Sequence, residues 1–126
     1  MPRKRSDTLT EGEQRLMEVI WTRDGATVAE VLDALSERDR PAFNTVQTML
    51  RIMEKKGYLR HEERGRAFIY HAKVERDDAA RAAVRSVVKR FFHNSAGLLA
   101  VRLLENEDLS EHELAQMRRL IDEASQ

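Results

Sequence analysis

The chain of 126 residues predicts a mostly α-helical fold that carries one small β-hairpin. Three observations predict it. Apolar residues recur at helical spacing in three segments before Gly57 and in three more after Val74. Between Tyr58 and Ala72 the period changes to that of short strands around Gly65. Three helix starts carry capping boxes, Thr10 with Glu13, Thr27 with Glu30 and Ser110 with Glu113. In each, two side chains satisfy free backbone N–H groups reciprocally.

The first helix is expected from about Glu11 to Thr22, with Leu16, Met17, Ile20 and Trp21 as its buried stripe and Gly25 ending the unit. The second starts at its capping box and buries Val28, Val31, Leu32 and Leu35. Ser36 to Arg40 is a polar connection, and Pro41 blocks continuation of that helix. The third begins near Phe43 and buries Val46, Met49, Leu50 and Met53 at i, i+3, i+4 and i+7. Gly57 suits the left-handed residue that closes it. Residues 58–62 and 67–72 read as two strands, with Glu63-Arg64-Gly65-Arg66 as the turn. Trp21 and Tyr70 fall on apolar stripes and belong to the core.

The outer face of the third helix carries Asn44, Thr45, Gln47, Thr48 and Arg51, with no carboxylate before Glu54. An ordinary solvated face is mostly Glu and Lys, and a carboxylate would repel phosphate. Amides read adenine, Arg reads guanine, and Thr offers a hydroxyl or a methyl to thymine. Gln47 and Thr48 are therefore base readers on this reading, or else ordinary exposed polar residues. Asn44 and Thr45 cap the helix, hold DNA, or do both. Arg51 either reaches DNA or pairs with Glu54. Arg64 and Arg66 flank the glycine of a hairpin tip, where long cations suit phosphate. Three helices followed by a basic-tipped hairpin make a winged helix-turn-helix. We expect residues 1–73 to form this DNA-binding domain and residues 74–126 a helical dimerisation domain.

The net charge is zero, but it is unevenly spread. Residues 40–72 and 73–102 each hold seven basic and three acidic residues, whereas residues 103–126 hold two basic and seven acidic. Phosphates respond to a local patch, so a zero total does not exclude nucleic acid. Arg3, Lys4 and Arg5 form a basic N-terminal arm with no apolar run behind it. No signal peptide and no spanning stretch is expected, and the lack of cysteine fits a reducing cytoplasm. The four histidines are scattered, with no metal-ligand spacing. No nucleophile motif or phosphate-binding glycine loop is present, so neither an enzyme nor a cofactor is expected.

After residue 74 the apolar stripe continues through Val84, Val87, Val88, Phe91 and Phe92 until His93-Asn94 breaks the helix. A shorter helix carries Leu98, Leu99 and Leu103, and a last one carries Leu114, Met117, Leu120 and Ile121. This is more apolar surface than a short tail buries alone, and large exposed apolar patches mark interfaces. The expected partner is a second copy, since two-fold dimers are the commonest assembly. Such a dimer places two recognition helices on one face of DNA, about 34 Å apart.

Three groups of residues carry a family resemblance. They are Leu9-Thr10-x-x-Glu13-x-x-x-Met17-x-x-x-Trp21, Thr45-Val46-x-Thr48-x-Leu50-x-x-Met53-x-x-Lys56-Gly57 and Gly65-Arg66-x-Phe68-x-Tyr70. With the tail Glu105-x-Glu107-Asp108-Leu109-Ser110-x-x-Glu113-Leu114, the chain resembles the BlaI/MecI penicillinase-repressor family from Leu9 to Ile121. The resemblance implies a dimeric repressor on a palindromic operator of β-lactamase, cell-wall or stress genes. It places DNA contacts at Asn44, Thr45, Gln47, Thr48, Arg64 and Arg66. It also implies a membrane sensor protease that relieves repression by cutting the tail. This chain departs from the pattern at two points. The family's Asn-Phe cleavage bond is Arg102-Leu103 here, and a copper-responsive branch's cysteine motif is absent. The inducing signal is therefore open. Two alternatives compete: a regulator gated by a small molecule near Phe91, Phe92 and Leu99, and a winged helix that binds protein instead of DNA.

Overall fold

The computed structural model describes residues 8–125, in two compact units, one ending at Ser86 and the other running from Val87. The basic arm Arg3-Lys4-Arg5 lies outside the described residues. In chain order the elements are α1 (Glu11–Trp21), α2 (Val28–Ala34), α3 (Phe43–Lys55), β1 (Leu59–Arg64), β2 (Ala67–Ala72), α4 (Arg76–Phe91), α5 (Ala96–Asn106) and α6 (Glu111–Ala124). A short 3-10 turn, Glu37–Asp39, sits in the polar connection before Pro41. Helix α4 begins in the first unit and ends in the second.

The first unit is a three-helix core with a hairpin laid on it. Leu16, Met17 and Ile20 of α1, Val31 of α2, and Val46, Leu50 and Met53 of α3 are almost free of solvent. Leu59 and Tyr70 close the core from the hairpin. All three expected capping boxes form. Three expected stripes are less buried than their spacing implies, and in α3 Met49 is only partly buried against the core. Leu32 and Leu35 are only partly buried, because α2 ends at Ala34 and Leu35 already has extended backbone. Trp21 is half-buried at the last position of α1, where its indole N–H donates to the Val74 carbonyl at 2.8 Å. The Arg76 guanidinium lies 5.1 Å from the Trp21 ring and pairs with Glu18 at 2.6 Å.

The hairpin pairs Leu59 with Ala72 through to Arg64 with Ala67. Strand β1 extends to Arg64, two residues past its expected end, because the turn uses only Gly65 and Arg66. Gly65 takes φ +63 at the first central position, whose twist matches the strands in a two-residue turn. A single isolated bridge, which the sequence pattern hides, ties the loop before α2 to β2. Ala26 donates to the Tyr70 carbonyl at 3.0 Å and accepts from the Tyr70 N–H at 2.8 Å.

The second unit holds the end of α4 with α5 and α6. His93 and Asn94, at φ 50 and 63, end α4 where the break was expected. Ser95 caps α5 by accepting the Leu98 N–H at 3.0 Å. Neither α5 nor α6 contains a buried residue, and α4 contains only Val88. Among the described residues no helix is long and apolar enough to cross a membrane.

Candidate nucleic-acid interface

Helix α3 is pinned before it is presented. At its C-terminal end Lys56 Nζ lies 2.7 Å from Glu13 Oε1, and both side chains are nearly buried. Lys56 also donates to the Thr8 carbonyl at 3.3 Å. Glu13 thus serves two structures at once, since the same oxygen accepts the Thr10 N–H at 2.8 Å in the capping box. Burial opposes the Glu13 charge, but the hydrogen bonds from Lys56 and from Thr10 prevail and hold its carboxyl below the usual value. The sequence pattern identified Glu13 only as a helix cap.

Above the buried Val46, Leu50 and Met53, α3 turns Asn44, Thr45, Thr48 and Arg51 outward, with Gln47 half-buried beside them. The residue before the helix is Ala42, which provides no side-chain cap. Asn44 and Thr45 are therefore the second and third residues of the helix, and the capping role is ruled out for both. The positive end of α3 is left open on the exposed side. Glu54, the first carboxylate of the helix, is engaged by His61, whose Nδ1 lies 2.6 Å from it. Arg51 forms no ion pair with Glu54, which is held by His61 instead. Burial pushes the Tyr70 phenol up, nearby Glu54 adds to this, and Arg51 opposes it.

On the wing, Arg64 and Arg66 are exposed. Arg64 reaches Glu62 only loosely, at 3.8 Å. His71 Nε2 sits 2.9 Å from the same carboxylate and is the main reason its pKa is lowered. The N-terminus of α2, the face of α3 and strand β2 enclose a groove of about 490 Å³. Gln47, Arg51 and Arg66 line it together, beside Thr27, Phe43, Phe68 and Tyr70. Asn44, Thr45, Thr48 and Arg64 do not line it. The candidates thus divide between a groove and the open face next to it. Among the described residues, no group of three or more His, Asp or Glu is placed to hold a metal ion.

Two aromatic residues of this surface are absent from the sequence-based candidates. Phe43 is 44% exposed and Phe68 is 37% exposed. Spacing puts Phe43 in line with the buried Val46 and Leu50, but it occupies the first turn of α3, beyond the edge of the core. Phe68 stacks on His61 with ring centroids 4.2 Å apart, at a strand position that alternation alone cannot assign to core or surface.

The tail candidates are dispersed along three helices. Phe91, Leu120 and Ile121 are each about 60% exposed, and Val84, Val87 and Leu103 are also exposed. Phe92, Leu98, Leu99, Leu114 and Met117 are half-buried, while Val88 is buried within the chain. Val101 and Leu104 join the exposed apolar set.

A three-helix core, a two-stranded wing and an outward helix face without carboxylates define a winged helix of the DNA-binding kind. The chain belongs to the penicillinase repressor family, whose model matches residues 9–123. It is similar to the penicillinase repressor of Bacillus licheniformis, at 29% identity over 120 residues, covering 95% of this chain and 94% of that one. It is also similar to the methicillin resistance regulatory protein MecI of Staphylococcus aureus (strain N315), at 20% identity over 114 residues, covering 90% and 93%. Among solved structures, the DNA binding domain of the repressor BlaI matches with a TM-score of 0.52 at 33% identity, over 60% of this chain and 93% of that one. The family expected from the residue pattern is the family found.

Proposed function

We propose that this chain is a sequence-specific repressor that binds an inverted-repeat operator as a homodimer. The observation that carries the reading is the outward face of α3, which is polar and carboxylate-free next to a basic wing. In this reading α3 enters the major groove. Gln47 and Thr48 read base edges, and Asn44, Thr45 and the open start of α3 hold phosphate. Arg64 and Arg66 contact the neighbouring backbone, which fixes register without specifying sequence. Arg51 is exposed on the groove beside Gln47 and is available to DNA.

The homodimer rests on a separate observation. Helices α5 and α6 hold no buried residue, and Phe91, Leu120 and Ile121 are left largely open. A segment this small does not bury enough surface alone, and a second copy of the same surface supplies what is missing. Residues 74–126 are the segment we assign to dimerisation, on a cytoplasmic regulator that needs no cofactor. A signal that disrupts this tail, by proteolysis or otherwise, would release the operator. Arg102-Leu103 is the position to examine for cleavage by a membrane sensor protease.

The test is selection of bound sequences from a pool of random duplex DNA at near-physiological salt. Recovery of an inverted repeat with half-sites one helical turn apart is the expected result. Recovery without any motif would overturn sequence-specific recognition and favour the protein-binding alternative.

A further inference from the structure

We propose that Phe43 is a specificity-determining residue that reads the C5-methyl group of a thymine in each half-site. This rests on the reading that α3 lies in the major groove. Three observations carry it. Phe43 occupies the first turn of α3 and is 44% exposed, although it is among the largest apolar side chains of the unit. A second exposed aromatic, Phe68, lines the same groove, so Phe43 is part of a shared surface and not an isolated apolar residue. Phe43, Gln47 and Arg51 also stand at i, i+4 and i+8, which makes them one ridge of the helix, and all three line the groove.

The chemistry then narrows the ligand. In the major groove each base pair offers hydrogen-bonding atoms, and thymine alone adds an apolar group, its methyl. A phenyl ring offers no hydrogen bond to a base edge or a phosphate, so the methyl is the complementary surface. Gln47 lies four residues further along the helix, about 6 Å at 1.5 Å per residue. Base pairs stack at about 3.4 Å. The thymine read by Phe43 therefore lies within two base pairs of the one read by Gln47. Four residues of exposed polar surface remain unchanged by this assignment, since Asn44, Thr45, Thr48 and Arg51 keep their roles.

The experiment replaces each thymidine of the selected operator in turn with deoxyuridine, which removes only the methyl. Affinities are measured for the full-length wild type, Phe43→Ala and Phe43→Leu. One replacement should weaken wild-type binding about four-fold, the worth of one buried methyl group. Phe43→Ala should bind the thymidine operator more weakly and be insensitive to that same replacement. Phe43→Leu, which keeps an apolar contact, should retain part of the sensitivity. Equal sensitivity in wild type and Phe43→Ala would assign the methyl to another residue and overturn the proposal. Wild-type binding with no sensitive thymidine would do the same while leaving DNA recognition intact. A wild type that binds no selected operator would instead refute the reading on which the proposal rests.

Discussion

Removing the Lys56 ammonium is the perturbation that most directly tests how α3 is held. In Lys56→Met the carboxylate of Glu13 keeps the Thr10 N–H at 2.8 Å but loses its 2.7 Å partner. The side chains of Lys56 and Glu13 are only 10% and 6% exposed, so water replaces little of what is lost. Breaking a buried pair on one side costs about 3–5 kcal/mol, and the surviving hydrogen bond puts this case near 3 kcal/mol. For a unit of this size that is a fall in Tm of roughly 12 °C or more. The chain has a single tryptophan, Trp21, and it lies in the same unit, so its fluorescence reports the loss. Glu13→Gln with Lys56→Met should be less damaging than the two single changes added together, by more than about 1 kcal/mol. The carboxyl of Glu13 is held below its ordinary 4.5, so its contribution is complete above that value. It fades as pH falls through the lower folded-state value, because the unfolded chain then binds more protons. Glu13→Gln should flatten that acid limb. Strictly additive single variants with an unchanged acid limb would refute the coupling of α1 to the end of α3.

Gly25→Ala should destabilise the unit by about 2 kcal/mol or more in thermal melts, from a strained backbone and an overpacked site. Gly25 has φ +91, and an added Cβ would meet His71 Cε1 at 2.6 Å and Ile69 Cγ2 at 2.8 Å. Gln47→Ala should cost about 1–3 kcal/mol of operator binding and relax preference at one base pair, read by anisotropy titration against single-base variants. Arg66→Ala should weaken binding to all sequences and reduce the slope of log affinity against log salt by about one unit. Phe91→Glu should give a monomer by sedimentation velocity, with lower affinity for the full operator and unchanged affinity for an isolated half-site. An intact dimer would remove Phe91 from the interface.

The helices of the first unit were legible because local signals agree with the packing. Thr10 with Glu13 and Thr27 with Glu30 mark starts, and Val46, Leu50 and Met53 repeat on one face. What escaped the sequence depends on contacts between distant residues. The Glu13 to Lys56 pair spans 43 positions and the Trp21 to Val74 hydrogen bond spans 53, and no periodicity encodes either. The Ala26 to Tyr70 bridge joins single residues outside any strand pair, too short for any alternation to show. On the candidate surface, the absence of carboxylates from α3 could be read along the chain. The placement of Phe43 could not, because its spacing matches the core and only the end of the core leaves it outside. Arg51 could be narrowed to DNA or Glu54 by sequence, and it lines the groove beside Tyr70, 19 positions away on the wing.

The separation of candidate DNA contacts from the apolar tail bears on how repression would end. The outward residues of α3 and the wing all precede Lys73, whereas the largely open Phe91, Leu120 and Ile121 all follow Val87. On the proposed dimer, each winged helix meets its half-site at the concentration imposed by the other, on the order of millimolar. Joining two modest interactions in this way raises affinity by about 10² to 10⁴ without any new contact to DNA. The same factor is lost when the tail stops pairing, even if every side chain on α3 is intact. A signal therefore need not reach the groove between α3 and the wing. It need only compete for apolar surface on α5 and α6, where no residue is buried within the chain and local opening costs little. This favours a release mechanism that acts on the tail over one that reshapes α3, whose end is fixed by a buried ion pair and whose Val46, Leu50 and Met53 are fully packed.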